Sequence, residues 1–160
     1  MGIRIQKEIF SSEDIISKMK ESNLSIGAVI TFTGFVRDFY NDKEGKKLEQ
    51  LELEHYAGMT EKMLQQIELE ANTRWLLEGI EIIHRVGVLL PGDPIVLVAV
   101  ACKHRADAFD ACHFIIDYLK VEAPFWKKEK TNIGEYWVNN NKEDALKKDQ
   151  WNYITKKKTN

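Results

Sequence analysis

The feature that most constrains the fold is a pair of apolar stretches on either side of Pro91-Gly92-Asp93. Upstream, Ile80, Ile82, His84, Val86 and Val88 recur at every second position, so an extended chain places all five on one face. Downstream, Ile95-Val96-Leu97-Val98-Ala99-Val100-Ala101 is continuous, the pattern of a strand buried on both faces. Pro-Gly-Asp favours a turn, because proline presets φ and glycine accepts positive φ. Two long strands around so short a connection predict an antiparallel pair. The apolar run, even extended to Cys102, falls far short of the roughly 18 residues that suggest a membrane span. The N-terminus also lacks a basic-then-apolar leader pattern, so a cytoplasmic protein with no membrane partner is expected.

Other segments have equally local signals. Ser11 and Ser12 precede Glu13 and Asp14, with Ile15, Ile16 and Met19 at helical spacing, which predicts a capped helix over 12–22 ending at Asn23. From Ile26 to Val36 the β-branched and aromatic residues favour a strand, with Gly27 and Gly34 marking close backbone approach or a bulge. Asn41 to Lys47 lacks apolar periodicity and is expected to form an exposed, poorly ordered loop. Leu51 and Leu53 alternate with glutamates as in a half-buried strand, and Met59, Met63, Ile67 and Ala71 step by four along a helix. A further helix runs from Arg105 to about Val121 before Pro124, and Tyr136-Trp137-Val138 forms a late short strand. This order of elements is α+β.

With 160 residues, 44% of them hydrophobic, the chain has material for one well-cored domain. That domain is read as residues 1–140, followed by a polar, lysine-rich tail over 141–160 whose large anchors are Trp151 and Tyr153. Subtracting 25 acidic from 23 basic residues gives a net charge of −2, so no global positive field attracts a polyanion and no nucleic-acid partner is expected. Cys102 and Cys112 do not make a disulfide framework. With His104 and His113 they also lack any familiar paired-ligand spacing, so no metal is expected.

The chemistry concentrates in the helix before Pro124. At 100° per residue Phe109, Cys112, His113, Ile116 and Leu119 share an arc, and Lys120 falls roughly 20° from Phe109. Lys120 then either snorkels from a packed face to water or is partly desolvated, which lowers its pKa and makes it usable in catalysis. Next comes Ala123-Pro124-Phe125-Trp126-Lys127-Lys128-Glu129, read either as a core-filling loop or as a segment that stacks a flat heterocycle and neutralises a phosphate. Three lysines thus converge near the end of one helix, where its dipole favours cations. His104 and Arg105 lie at a strand-to-helix junction, where side chains commonly line a crevice; Arg37 ends the aromatic strand in the same manner.

These residues also match a known family. Gly27-Ala28 through Phe32-Thr33-Gly34 to Val36-Arg37, Leu53-Glu54-His55-Tyr56 with Gly58-Met59, His84-Arg85-Val86-Gly87, Pro91-Gly92-Asp93, His104-Arg105 with Ala108-Phe109, and Lys120 leading to Ala123–Glu129 occur in that order. Together, over residues 5–138, they resemble the large, catalytic subunit of molybdopterin synthase. The resemblance implies an α+β fold with an α/β-hammerhead core and additional antiparallel strands. It also implies a sulfurtransferase of molybdenum cofactor biosynthesis that converts cyclic pyranopterin monophosphate to the dithiolene of molybdopterin.

Sulfur would come from the thiocarboxylated Gly-Gly terminus of a small ubiquitin-like subunit, and two large subunits would form a homodimer at the centre of a heterotetramer. No cofactor is implied, the pterin being substrate and product. By resemblance Lys120 lies beside the incoming thiocarboxylate and Lys127 near the substrate, the two catalytic candidates. Phe35, Val36, Arg37, Lys128 and Glu129 belong to the substrate pocket, as do His104 and Arg105, the last two supplied by the neighbouring large subunit. With sulfur brought by the partner, neither cysteine need carry it. Departures fall at Phe35, where some relatives have a polar or basic residue, and at Asn139–Asn141. The alternative is a non-catalytic module that captures a ubiquitin-like partner tail.

Overall fold

A computed structural model describes residues 2–38, 43, 45–138 and 149–151. Among them the chain runs β1 (Gly2–Gln6), α1 (Ser12–Ser22), β2 (Ala28–Phe35), β3 (Leu48–His55), α2 (Met59–Arg74), β4 (Leu77–Arg85), β5 (Gly87–Leu89), β6 (Pro94–Cys102), α3 (Arg105–Glu122), β7 (Phe125–Thr131) and β8 (Gly134–Val138). The strands form two sheets, β1-β4-β6-β2 and β5-β3-β7-β8, an α+β arrangement as expected. In the first, β6 is antiparallel to both β2 and β4, while β1 lies parallel to β4. The short N-terminal strand β1 has no counterpart in the sequence reading. It is held at the edge by Ile3 and Ile5 against the core and by Arg4, whose Nε donates to the buried Glu81 carboxylate at 2.7 Å.

The two apolar stretches do pair antiparallel, with Ile80 opposite Val100, Ile82 opposite Val98 and His84 opposite Val96. Their connection, however, is not a hairpin. The chain leaves the first sheet after Arg85, and Gly87 takes a φ of 88°, a left-handed conformation that costs glycine nothing. Residues 87–89 then join the second sheet as β5, antiparallel to β3. Val86 and Val88 therefore do not extend the face of Ile80, Ile82 and His84. Val88 is exposed and Leu89 buried instead, because a one-residue change of phase exchanges the faces of a strand.

Helices α2 and α3 cover one face of the first sheet, around Leu64, Ile67, Ile82, Val98, Phe114 and Ile115, and α1 covers the other through Ile15 and Met19. Helix α1 has the predicted bounds, with Ser11 accepting from the Asp14 N–H at 3.2 Å and the Asn23 N–H closing on the Met19 carbonyl. Two helical faces differ from expectation. The buried stripe of α2 is Thr60, Leu64, Ile67 and Ala71, with Met59 exposed. In α3 the core side chains are Ala108, Ala111, Cys112, Phe114, Ile115 and Leu119; Phe109 and His113 are exposed. That helix packs on α2 as well as on the sheet, so its apolar sector is rotated toward Phe114. Of the arc read from Phe109 to Lys120, Cys112 and Leu119 are buried as expected, while Phe109, His113 and Lys120 are exposed near Thr31 and Phe32 of β2.

Both marked glycines of the aromatic strand behave as read. A Cβ on Gly27 would stand 2.2 Å from the Lys103 carbonyl oxygen, and the β2–β6 register shifts between Gly34 and Phe35. Most of the 41–47 loop lies outside the described residues, as does most of the segment after Val138. Trp151 is nonetheless buried against Trp75 and Phe114, with its Nε1 donating to the Asp117 carboxylate at 2.9 Å. The segment after Pro124 is neither turn nor loop: it is strand β7, paired with β3 on one side and β8 on the other.

His84 closes the seam between the sheets. It faces the core from β4, is 4% exposed, and stacks on Phe125 of β7 with ring centroids 3.7 Å apart and planes at 14°. Burial disfavours its charged form, and the Lys127 ammonium and His55 add to this against the opposing pull of the Arg85 carbonyl, so its pKa drops from 6.5 to about 4. The unfolded chain thus binds a proton that the folded chain refuses between these values. The contribution is fully present above pH 6.5 and is lost as pH falls toward 4, on the order of 3 kcal/mol in all. Urea unfolding at pH 7 and pH 4.5 should show a smaller acid loss in His84→Phe than in the unaltered protein; equal losses would mean that His84 does not titrate this way.

Candidate active site

A pocket of about 180 Å³ opens where the end of α3 meets both sheets. Its walls are mainly apolar: Phe32, Ile95, Val96, Val98, Ile116, Leu119 and Phe125. Three polar side chains reach it, Lys120 from the last turn of α3, Lys127 from β7 and His84 from β4. Helix α3 ends on the Leu119 carbonyl, which accepts from the Ala123 N–H, and Pro124 then turns the chain into β7. Lys120 therefore sits where the helix dipole favours a cation, and Lys127 follows a few residues later on an adjacent wall. Gly34 contributes backbone only; a Cβ there would lie 2.9 Å from a Val96 methyl carbon.

Strand alternation decides which of the basic residues converge. Lys127 pairs with the buried Leu53 and points inward, whereas Lys128 pairs with Glu52 on the outer face. Lys128 Nζ lies 2.6 Å from Glu135 and 6.0 Å from the Trp137 ring centroid, and its hydrogen bond to Glu135 raises its pKa while lowering that of the carboxylate. Two lysines converge at the helix end, therefore, and the third turns away. Glu129 shares the parity of Lys127 but reaches Lys46, at 3.7 Å.

The other sequence candidates are dispersed within one chain. Phe35 and Arg37 are exposed where β2 ends, beyond the pocket-lining Gly34. Val36 between them is buried with Leu48, Leu51, Leu53 and Leu89, and its backbone bonds Asp93 and Gly92 across the turn. His104 caps α3 and Arg105 begins it, both exposed. Lys120 lies fifteen helical steps after Arg105, a rise of about 22 Å, so the two stand at opposite ends of one rod.

Neither thiol lines this pocket, although Cys112 borders a neighbouring depression that Lys120 also lines. Cys102 and Cys112 are buried, and desolvation pushes each up to about 11, with Asp107 and Glu78 adding to the effect at Cys102. Such thiols stay protonated and unreactive at neutral pH. The residue that sequence reasoning passed over is His84. Beyond its place in the His84-Arg85-Val86-Gly87 run of the resemblance, its signal is a histidine standing where the alternation of β4 calls for an aliphatic side chain, after Ile80 and Ile82.

The comparisons with known proteins agree over most of the chain. A molybdopterin synthase catalytic subunit from Pseudomonas aeruginosa is 47% identical over 151 residues, covering 94% of this chain and 99% of its own. Among solved structures, a molybdopterin biosynthesis MoaE protein from Burkholderia ambifaria is 45% identical with a TM-score of 0.78, covering 94% of this chain and 98% of its own. Molybdopterin synthase from Staphylococcus aureus is 38% identical with a TM-score of 0.75, covering 84% and 95%. The MoaE protein family model matches residues 5–122, and with a fold and length shared to this extent the chain belongs to the MoaE protein family.

Proposed function

We propose that this chain is the catalytic subunit of a molybdopterin synthase, a sulfurtransferase that moves sulfur from the thiocarboxylated carboxyl terminus of a small ubiquitin-like subunit to cyclic pyranopterin monophosphate. The observation that carries the reading is the pocket in which Lys120 and Lys127, from different elements, face one apolar recess. A thiocarboxylate is an anion on a narrow, extended tail, and the exposed Lys120 and the partly buried Lys127 together attract it to one apolar recess. As sulfur replaces oxygen on the pterin side chain, the departing oxygen needs a proton and developing negative charge needs a cation; a positioned lysine supplies either. The protonated, buried thiols leave the partner as the sulfur source.

In this reading the working unit contains two copies of the chain. The resemblance assigns His104 and Arg105 to a second copy, and their exposure at the opposite end of α3 from Lys120 supports that sharing. The arginine suits the cyclic phosphate of the substrate. Lys128 and Glu129 then act through the second sheet, as edges of the strand that carries Lys127.

Mixing the chain with a thiocarboxylated small subunit and cyclic pyranopterin monophosphate should yield dithiolene product. Lys120→Ala and Lys127→Ala, both folded, should each lower the rate about 100-fold or more. Absence of product despite tight partner binding would instead favour a tail-capturing module, and full activity in both variants would remove the lysines from the mechanism. Cys102→Ser and Cys112→Ser should transfer sulfur at near-normal rates wherever they fold; abolished transfer in a folded variant would put a persulfide on this chain. Sharing of residues has its own test. Lys120→Ala and Arg105→Ala homodimers should both be impaired, while mixed dimers regain one complete site of the two. No recovery on mixing would mean that each pocket is built from a single chain.

A further inference from the structure

One polar atom at the pocket has no part in the roles given to the two lysines. His84 is nine-tenths buried and more, its Nδ1 lies 2.8 Å from the Arg85 carbonyl oxygen, and its ring makes no other hydrogen bond among the described residues. A carbonyl only accepts, so Nδ1 carries the proton, and Nε2 of the neutral ring presents a lone pair. Among the described residues no sealed side-chain nitrogen or oxygen lacks a partner. Nε2 is thus not sealed, and the space the side chain lines is the pocket of Lys120 and Lys127. Stacking on Phe125 fixes the ring plane, and its pKa of about 4 keeps the acceptor unprotonated at neutral pH.

The recess therefore offers two cationic donors, one neutral acceptor and apolar walls. A ligand that satisfies all three carries an anionic end with an N–H donor a bond or two behind it. A peptide carboxyl terminus has this layout: its carboxylate or thiocarboxylate is separated from the amide N–H of the last residue by one α-carbon. We propose that His84 Nε2 accepts a hydrogen bond from that terminal amide N–H, so that His84 is a binding residue which sets the depth and rotation of the tail whose anionic end the lysines hold. The inference rests on the functional reading above and adds to it a third recognition element. It also gives a reason for a histidine at this position: phenylalanine would preserve the stack but offer nothing to an amide that has lost its water.

The test removes the donor without altering charge or length. A ubiquitin-like small subunit ending in Gly-Gly is prepared in two forms, one natural and one with glycolate in place of the final glycine, so that an ester oxygen replaces the amide N–H. Calorimetric titration into the full-length chain should show the ester form binding about tenfold more weakly. His84→Phe should bind both forms alike at the weaker level, and His84→Gln, which returns an acceptor oxygen near the Nε2 position, should restore the preference for the amide. Equal affinity of the unaltered protein for the two forms, a comparison that needs no substitution in the chain, would overturn the inference. So would an undiminished preference in His84→Phe, the result expected if the His84 acceptor serves a lysine ammonium instead. A chain that binds neither form and makes no product would refute the functional reading itself, whereas a productive chain blind to the ester refutes only the role of His84.

Discussion

The stack of His84 on Phe125 is the contact on which the site depends, because it joins the two sheets that hold the two lysines. His84 belongs to β4 and moves with the first sheet and the helices packed on it, including the end of α3 that carries Lys120. Phe125 begins β7 and moves with the second sheet, and Lys127 lies two residues further along the same strand. The distance between the ammonium groups is therefore set by how the sheets meet, and ring planes in contact resist the sliding that would change it. Pro124 adds a covalent constraint, since it bars α3 from continuing and fixes where β7 starts. A polar side chain buried at a seam costs desolvation; here the Arg85 carbonyl offsets part of that cost and the ring remains neutral.

Alternation along β7 then sorts like residues into unlike roles. Lys127 and Lys128 are adjacent in sequence and opposite in direction, one at the recess and one paired with Glu135 on the solvent side. An exposed pair of this kind adds little to stability, but it keeps a third ammonium away from the recess, where like charges would repel. Glutamates at 52 and 54 on the neighbouring strand face the same outer side as Lys128 and contribute to raising its pKa.

Much of the fold was legible because its signals are local. The capped helix α1, the central strand β6, the glycine approaches at 27 and 34 and the end of α3 at Pro124 each follow from a few neighbouring residues. What escaped the sequence was phase. Gly87 redirects the chain between sheets without interrupting the apolar alternation, so Val88 read as core and lies in solvent, while the neighbouring Leu89 is buried. The faces of α2 and α3 were rotated for a related reason: a helix packed on two neighbours buries a sector set by both, which periodicity alone cannot locate. Residue type and proximity to a helix end pointed to Lys120, Lys127 and Lys128 together, and the resemblance singled out the first two. His84 was hidden by its position within an apolar face, where a histidine reads as one more core side chain.

Helix α3 is also a ruler. A continuous helix cannot fold back, so its ends stay about as far apart as its residue count dictates, here roughly 22 Å from Arg105 to Lys120. That span exceeds the combined reach of an arginine and a lysine side chain, so the two do not touch within one chain. In the proposed synthase a site that employs both ends takes them from two copies of the chain. On this reading assembly and activity become one requirement. Under that proposal an isolated subunit would keep the recess, lined by α3, β4 and β7 of a single chain, and would lack a cation from the far helix end for the substrate phosphate. The proposed division would then place the groups that hold the sulfur donor at the end of α3 and the group that completes the acceptor side at the beginning of the same helix in a second copy.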